Sequence, residues 1–118
     1  MLNQPPKRNE SVVIAIIKAQ VHPNKWEAIK KAFESEIGAL KHFPIAEIFL
    51  IQSKADPTFW QILSIWYSWD DLKEAQNRGS LPGELIFVLV GASPVTSIFN
   101  VVAYAQRSLE DPQIDKSW

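Results

Sequence analysis

Two tryptophans stand six residues apart in an aromatic, largely apolar stretch of the chain. Trp60 and Trp66 share one face of a predicted strand, because side chains alternate between the faces of a strand and the spacing is even. Such a pair can form the wall of a pocket for a flat organic molecule. It can equally belong to a core or a subunit interface, where aromatic side chains dominate the packing. The sequence leaves both interpretations open.

Polar side chains interrupt the apolar strands near these tryptophans. Gln61 and Ser64 lie in the same predicted strand, and Asn100 interrupts the last apolar run. A buried polar group needs a hydrogen-bond partner, and in a pocket that partner can be a substrate. A position at a sheet edge or in a hydrated subunit interface explains these residues equally well.

Other aromatic side chains are candidates for the same pocket. Trp69 begins a predicted helix and either lines the pocket mouth or packs on the sheet edge. Tyr67 and Tyr104 can donate a hydrogen bond to a phenolic or quinone oxygen. We predict Trp66, Asn100 and Tyr67 as catalytic residues. The predicted substrate-binding residues are Trp60, Gln61, Ser64, Trp69 and Tyr104.

The histidines do not suggest a metal site. His22 lies in a strand–helix junction, and His42 lies at the end of the first predicted helix, where a cation suits the helix dipole. A helix separates them and no carboxylate stands at ligand spacing beside either, so we predict no metal and no cofactor. The chain has no cysteine, which excludes thiol catalysis, and its four scattered glycines do not form a phosphate-binding loop.

Composition describes an ordinary globular domain. The 118 residues suffice for one domain with a real core, and the 47% hydrophobic and 21% charged residues exclude a disordered chain or a coiled coil. A net charge of −1 argues against a nucleic-acid partner. The polar start does not resemble a signal peptide, and the most apolar run, 85–92, is far shorter than the roughly 20 residues that span a bilayer. We expect a cytoplasmic protein with no membrane partner.

Hydrophobic patterning predicts four strands and at least two helices. The predicted strands are 11–21, 45–54, 59–67 and 98–106, and the predicted helices are 24–41 and 69–77. Asn24 is the predicted N-cap of the first helix, with Glu27 placed as in a capping box, and Ser68 is the predicted N-cap of the second. Residues 81–92 combine a helix-like start with β-branched side chains, so composition alone does not decide between helix and strand.

This order predicts an α+β fold, the ferredoxin-like βαββαβ plan with a four-stranded antiparallel sheet. The domain is predicted over 11–106, with a flexible arm at 1–10 and a C-terminal tail at 107–118. All four predicted strands are apolar on both faces, yet helices in this topology cover only one. The other face would expose a large apolar patch, and a second copy of the sheet is its simplest cover. We therefore predict a homodimer.

The stretch 56–66, DPTFWQILSIW, resembles the second hairpin of antibiotic biosynthesis monooxygenase-like domains, which are dimeric α/β barrels. The pattern there is an Asp-Pro turn followed by a phenylalanine, then a strand that ends Glu-x-Trp, then a short helix that often ends at a histidine. The resemblance in element order covers residues 11–105 and implies a helix at 82–91.

The chain departs from the family pattern at specific positions. Ser64 replaces the acidic residue before the tryptophan, and Gln76 stands where the histidine often lies. Haem-degrading members of the superfamily use an asparagine, a tryptophan and a histidine, and the matching tryptophan position here is Ala75. These departures argue against a haem-degrading role.

The resemblance implies a cofactor-independent oxygenase that acts on a small aromatic or polyketide-like molecule. In that chemistry the substrate supplies electrons as a stabilised carbanion, and the protein supplies a dry pocket and hydrogen-bond donors for the developing oxyanion. The alternative is a non-catalytic homodimer that binds a small molecule or is associated with stress. A pocket with several polar groups favours the enzyme, whereas a cavity filled by tryptophan and phenylalanine favours the alternative.

Overall fold

The structure is a computed structural model of the chain, and it describes residues 12–40 and 42–105. The predicted arm at 1–10 and the predicted tail at 107–118 lie outside these residues. Along the described chain the elements are β1 (Val13–Gln20), α1 (Trp26–Leu40), β2 (Ile45–Gln52), β3 (Phe59–Trp66), α2 (Trp69–Asn77), α3 (Glu84–Leu89) and β4 (Val95–Asn100). This is the predicted βαββαβ order with α3 as an additional short helix.

The strands form one antiparallel sheet in the order β2-β3-β1-β4. The two strands that follow a helix connection, β2 and β4, lie at opposite edges, so the sheet is open rather than closed into a barrel. This arrangement confirms the predicted ferredoxin-like α+β fold.

The first helix begins later than predicted. A 3-10 turn at Pro23–Lys25 precedes α1, and the His22 ring caps this turn by accepting a 3.3 Å hydrogen bond from the backbone N–H of Asn24. The predicted N-cap role of Asn24 is therefore wrong, because proline suits the first position of a helical turn and moves the cap back to His22. Glu27 forms an exposed ion pair with Lys30 at 3.0 Å instead of closing a capping box.

The connection between β3 and β4 contains both remaining helices. As predicted, Ser68 caps α2, and its hydroxyl accepts a 3.0 Å hydrogen bond from the N–H of Asp71. The ambiguous segment forms α3, which agrees with the helix that the family resemblance implied. Glu84 fixes this helix, because one carboxylate oxygen accepts the N–H of Leu81 at 3.0 Å and the other accepts the hydroxyl of Thr96 on β4 at 2.6 Å.

The last strand is Val95–Asn100 rather than the predicted 98–106. Its ladder with β1 runs from the pair Lys18–Val95 to the pair Val13–Asn100. Because β1 starts at Val13, the ladder of the described residues ends at this pair, and one further hydrogen bond, from the N–H of Val101 to the carbonyl oxygen of Val12 at 3.1 Å, follows it. The apolar residues of the sequence thus continue beyond the end of the β1–β4 ladder.

The helices cover one face of the sheet, which we call the inner face. Burial alternates strictly along β1 and β3, so that Ile17, Ile62 and Trp66 are completely buried on this face. The helices contribute further buried side chains to the same core, namely Ile29, Leu72, Ile86 and Phe87.

The opposite face, which we call the open face, is also apolar. Its apolar side chains come from all four strands: Ile14, Ile16, Phe49, Ile51, Phe59, Leu63, Ile65, Val95 and Phe99. Four of these, Phe49, Ile51, Val95 and Phe99, have exposed fractions between 42% and 57%. The described part of the chain therefore leaves this face uncovered, as the two-sided apolar pattern predicted.

Candidate functional site

Trp66 and Ser64 form a buried polar pair on the inner face of β3. Both side chains are almost completely buried, and the indole Nε1 of Trp66 donates a 2.9 Å hydrogen bond to Oγ of Ser64. The ring of Phe43 meets the Trp66 ring edge-on, with centroids 6.1 Å apart and an interplanar angle of 77°. The single polar atom of Trp66 is thus already satisfied inside the core, and Phe43 covers one side of the ring.

Trp60 lies on the same face, but its indole differs from that of Trp66 in its hydrogen bonding within the described residues. Its ring packs against Trp26, with centroids 6.0 Å apart. The Nε1 of Trp26 donates to the carbonyl oxygen of Val21 at 2.9 Å, whereas the buried Nε1 of Trp60 has no hydrogen-bond partner among the described residues. An unpaired buried donor of this kind costs about 1–3 kcal/mol.

Asn100 is on the inner face at the same end of the sheet as Trp66. Val13 of β1 stands between them, since it pairs with Trp66 on one side and with Asn100 on the other. Two strand spacings, roughly 10 Å, therefore separate the two backbones. Asn100 is exposed.

The other predicted site residues lie elsewhere. Gln61 points to the open face, where it pairs with Lys18 and Ile51. Tyr67 and Trp69 follow β3 and are largely exposed, and the Lys73 ammonium lies 5.8 Å from the centroid of the Trp69 ring, a cation–π distance.

Tyr104 is 74% exposed and lies in the non-regular segment that follows β4. The predicted residues therefore occupy the core, the open face and the surface, and neither the cavities described below nor any contact among the described residues brings all of them together.

The sequence did not predict a groove that Phe43, the neighbour of Trp66, helps to line. This groove, of about 170 Å³, runs between the C-terminal half of α1 and the segment that leads into α3, and we call it the α1–α3 groove. Its principal lining residues are Glu36, Leu40, Phe43, Leu81, Leu85 and Ile86. Phe43 lines the groove and also packs on Trp66, so one aromatic ring separates the groove from the buried indole.

A weak signal for this groove does exist in the sequence. Glu36 lies beside Ile37 and four residues before Leu40, so a carboxylate borders the apolar stripe of α1. The Pro82-Gly83 turn brings Leu81 and Ile86 back towards that stripe. Only the packing of two helices that are distant in sequence turns these local features into a cavity.

A second, shallower depression lies at a corner of the sheet. It measures about 510 Å³ and is lined by Lys18, Gln20, Phe59 and Val95 together with the loop after α3. All four of these side chains lie on the open face, so this depression belongs to the surface that a partner sheet would border.

The described residues offer neither a metal-binding cluster nor a helix that could cross a membrane. Within 12–40 and 42–105, no cluster of three or more His, Asp or Glu side chains could hold a metal ion. Over the same ranges, none of the helices combines the length and the apolarity that crossing a bilayer requires.

No protein-family model matches the sequence, and a search of curated proteins also found no match. Solved structures, in contrast, match the fold over most of the chain. A conserved protein from Methanosarcina mazei Go1 superposes with a TM-score of 0.64 and 17% identity, covering 80% of this chain and 97% of its own. A proposed antibiotic biosynthesis monooxygenase from Deinococcus radiodurans gives 0.62 and 9%, covering 81% and 98%.

SnoaB, a cofactor-independent oxygenase from Streptomyces nogalater, superposes with a TM-score of 0.53 and 14% identity. The match covers 86% of this chain and 99% of SnoaB. Similarity at these identities concerns the fold. The chain has the antibiotic biosynthesis monooxygenase-like fold, as the resemblance of the hairpin at 56–66 implied.

Proposed function

We propose that this chain is a homodimeric protein that binds a small aromatic molecule in the α1–α3 groove and oxygenates it without a cofactor. The observation that carries the proposal is the position of Phe43, which lines the groove and packs edge-on against Trp66. A ligand ring in the groove would lie one aromatic layer from the indole. The fold similarity to a cofactor-independent oxygenase supports the same reaction class.

The reaction would need little from the protein beyond a dry and shaped site. A phenolic substrate gives up its proton to water, and the carbanion form of the phenolate adds to O₂. The peroxide anion takes a proton back, and the resulting hydroperoxide loses water to leave a carbonyl group. The apolar side chains of Leu40, Phe43 and Ile86 exclude water from the ring. The hydrogen bond from the indole N–H to Ser64 holds the Trp66 ring in place behind Phe43.

The homodimer is supported by the open face. Exposed apolar patches of this extent mark interaction surfaces in soluble proteins. A two-fold contact between identical sheets covers the same patch on both copies, so one chain supplies both partners. We propose this sheet-to-sheet contact as the dimer interface.

A second candidate function is binding without catalysis. It is favoured by the burial of three predicted site residues in the core, namely Trp60, Ser64 and Trp66. In that case the groove holds a ligand, and Trp66 and Ser64 serve the stability of the fold.

An oxygen-uptake assay separates the two functions. The purified protein is mixed with a panel of small hydroquinones and phenols, O₂ consumption is recorded with catalase present, and products are identified by mass spectrometry. Protein-dependent uptake with one oxygen atom retained in the product is expected for the oxygenase. A rise in melting temperature without oxygen uptake would establish the binding protein, and neither effect would contradict both functions.

Two substitutions test the role of Trp66 in the assay. Trp66→Phe should abolish turnover while the far-ultraviolet circular dichroism spectrum stays unchanged. Trp26→Phe is the matched control, because that tryptophan also packs on the inner face but lies away from Phe43. Unchanged turnover in Trp66→Phe would remove Trp66 from the site.

A further inference from the structure

We infer that the α1–α3 groove selects small aromatic molecules that carry a protonated amine, and that Glu36 is the selecting group. The inference deepens the proposed function, because both use the same groove as the ligand site. It rests on three properties of the groove, which are its charge, the chemistry of its walls and its size.

The charge of the groove is carried by one side chain. Among the described residues that line it, Glu36 is the only ionisable one, and the others are apolar except for Ser80. The two ion pairs seen within the described residues, Lys30–Glu27 and Arg78–Glu74, do not involve it. A ligand in the groove therefore meets one negative charge set in an apolar wall.

The apolar walls of the groove make the Glu36 carboxylate discriminate between cationic and other ligands. Apolar surroundings weaken solvent screening, so a charge pair is stronger here than on an open surface. Phe43 also lines the groove, and the face of its ring would attract an organic cation that lies over it. A neutral ligand would place an apolar body against the carboxylate without a compensating charge, and an anion would be repelled.

The size of the groove limits the body of the ligand. Its volume of about 170 Å³ is well below the roughly 300–1,000 Å³ of pockets that enclose drug-sized molecules. One aromatic ring with a short side chain fits that space, whereas a fused polycyclic body does not. The ligand class is thus a single-ring aromatic amine.

Calorimetric titration with three probes that share one ring tests the inference. The probes are 2-(4-hydroxyphenyl)ethylamine, 2-(4-hydroxyphenyl)ethanol and 4-hydroxyphenylacetate, used at neutral pH, where the amine is protonated. We expect the amine to bind about fivefold to tenfold more tightly than the alcohol, which matches a partly shielded ion pair. The acid should bind most weakly.

Variants of α1 assign the preference to one carboxylate. Glu36→Gln should abolish the preference for the amine, so that the amine and the alcohol bind with similar affinity. Glu36→Lys should reverse the preference in favour of the acid. Glu34→Gln is the matched control, because Glu34 is exposed on the same helix and does not line the groove, so this variant should behave as the wild type.

The outcomes separate this inference from the proposed oxygenase. Equal binding of amine and alcohol, a preference that survives Glu36→Gln, or no binding of any probe would overturn the inference. A preference that depends on Glu36 but is not accompanied by oxygen uptake supports the inference and contradicts the oxygenase. Oxygen uptake with the alcohol, together with no preference for the amine, supports the oxygenase and contradicts the inference.

Discussion

The indole Nε1 of Trp66 donates a 2.9 Å hydrogen bond to the hydroxyl oxygen of Ser64, two residues earlier on the same face of β3. Both side chains are almost fully buried, so neither group can exchange its partner for water. The pair is therefore a stability element of the core whether or not Trp66 also acts on a ligand.

Removing the acceptor should destabilise the protein. Ser64→Ala leaves the buried indole N–H of Trp66 without a partner, which should lower the free energy of unfolding by about 1–3 kcal/mol. Urea denaturation monitored by tryptophan fluorescence measures the change. Ser93→Ala, at an exposed loop position, is the control and should stay within about 0.5 kcal/mol of the wild type. An equal effect of the two substitutions would contradict the buried hydrogen bond.

The two core tryptophans of β3 should respond differently to the same substitution. Trp66→Phe removes the N–H that donates to the Ser64 hydroxyl, so the buried hydroxyl loses that hydrogen bond. Trp60→Phe removes an N–H that has no partner among the described residues. Both changes delete the same ring atoms. Trp66→Phe should therefore cost at least about 1 kcal/mol more in the free energy of unfolding than Trp60→Phe. If Trp60→Phe costs as much, the Trp60 N–H has a partner in solution.

Two glycines offer a matched test of backbone conformation. Gly83 has φ +107°, and a Cβ there would lie 3.1 Å from side-chain carbons of both Ile17 and Ile62. Gly83→Ala should lower the free energy of unfolding by about 1–3 kcal/mol, because strain and overpacking add.

Gly38 lies inside α1 with open space around its Cβ position, so Gly38→Ala should raise the free energy of unfolding by about 0.5–1 kcal/mol. Thermal melting of both variants is the measurement. The same sign of change for both would mean that the turn before α3 is placed differently.

The proposed dimer interface can be broken by one charge. Phe49→Asp places a carboxylate on the open face, and light scattering at micromolar concentration should then report 13.4 kDa instead of twice that mass. Val88→Asp is the control, since Val88 is similarly exposed but lies on α3, on the helical side of the molecule. A wild-type mass of one chain, or dissociation of both variants alike, would refute the sheet-to-sheet contact.

Local sequence patterns predicted the strands and the caps that depend on neighbouring residues. The alternation in β1 and β3 identified which side chains share a face, and Ser68 marked the start of α2. Local patterns misplaced the end of β4, because strand length is set by the partner strand: β1 begins at Val13, so the ladder of the described residues ends at Asn100 and is followed by one hydrogen bond from the N–H of Val101 to the carbonyl oxygen of Val12. They also misplaced the cap of α1, where the proline competes with Asn24.

The sequence by itself determined that Trp60, Ser64 and Trp66 lie on one face and that both faces of the sheet are apolar. Those properties follow from a two-residue period, which needs no knowledge of the rest of the chain. Only the tertiary structure decided that Trp66 donates to Ser64 while Trp60 has no partner among the described residues, and that Phe43 separates Trp66 from a groove that contains Glu36. Hydrogen-bond partners and cavities depend on how helices that are distant in sequence pack against the sheet, and a local two-residue period does not encode that packing.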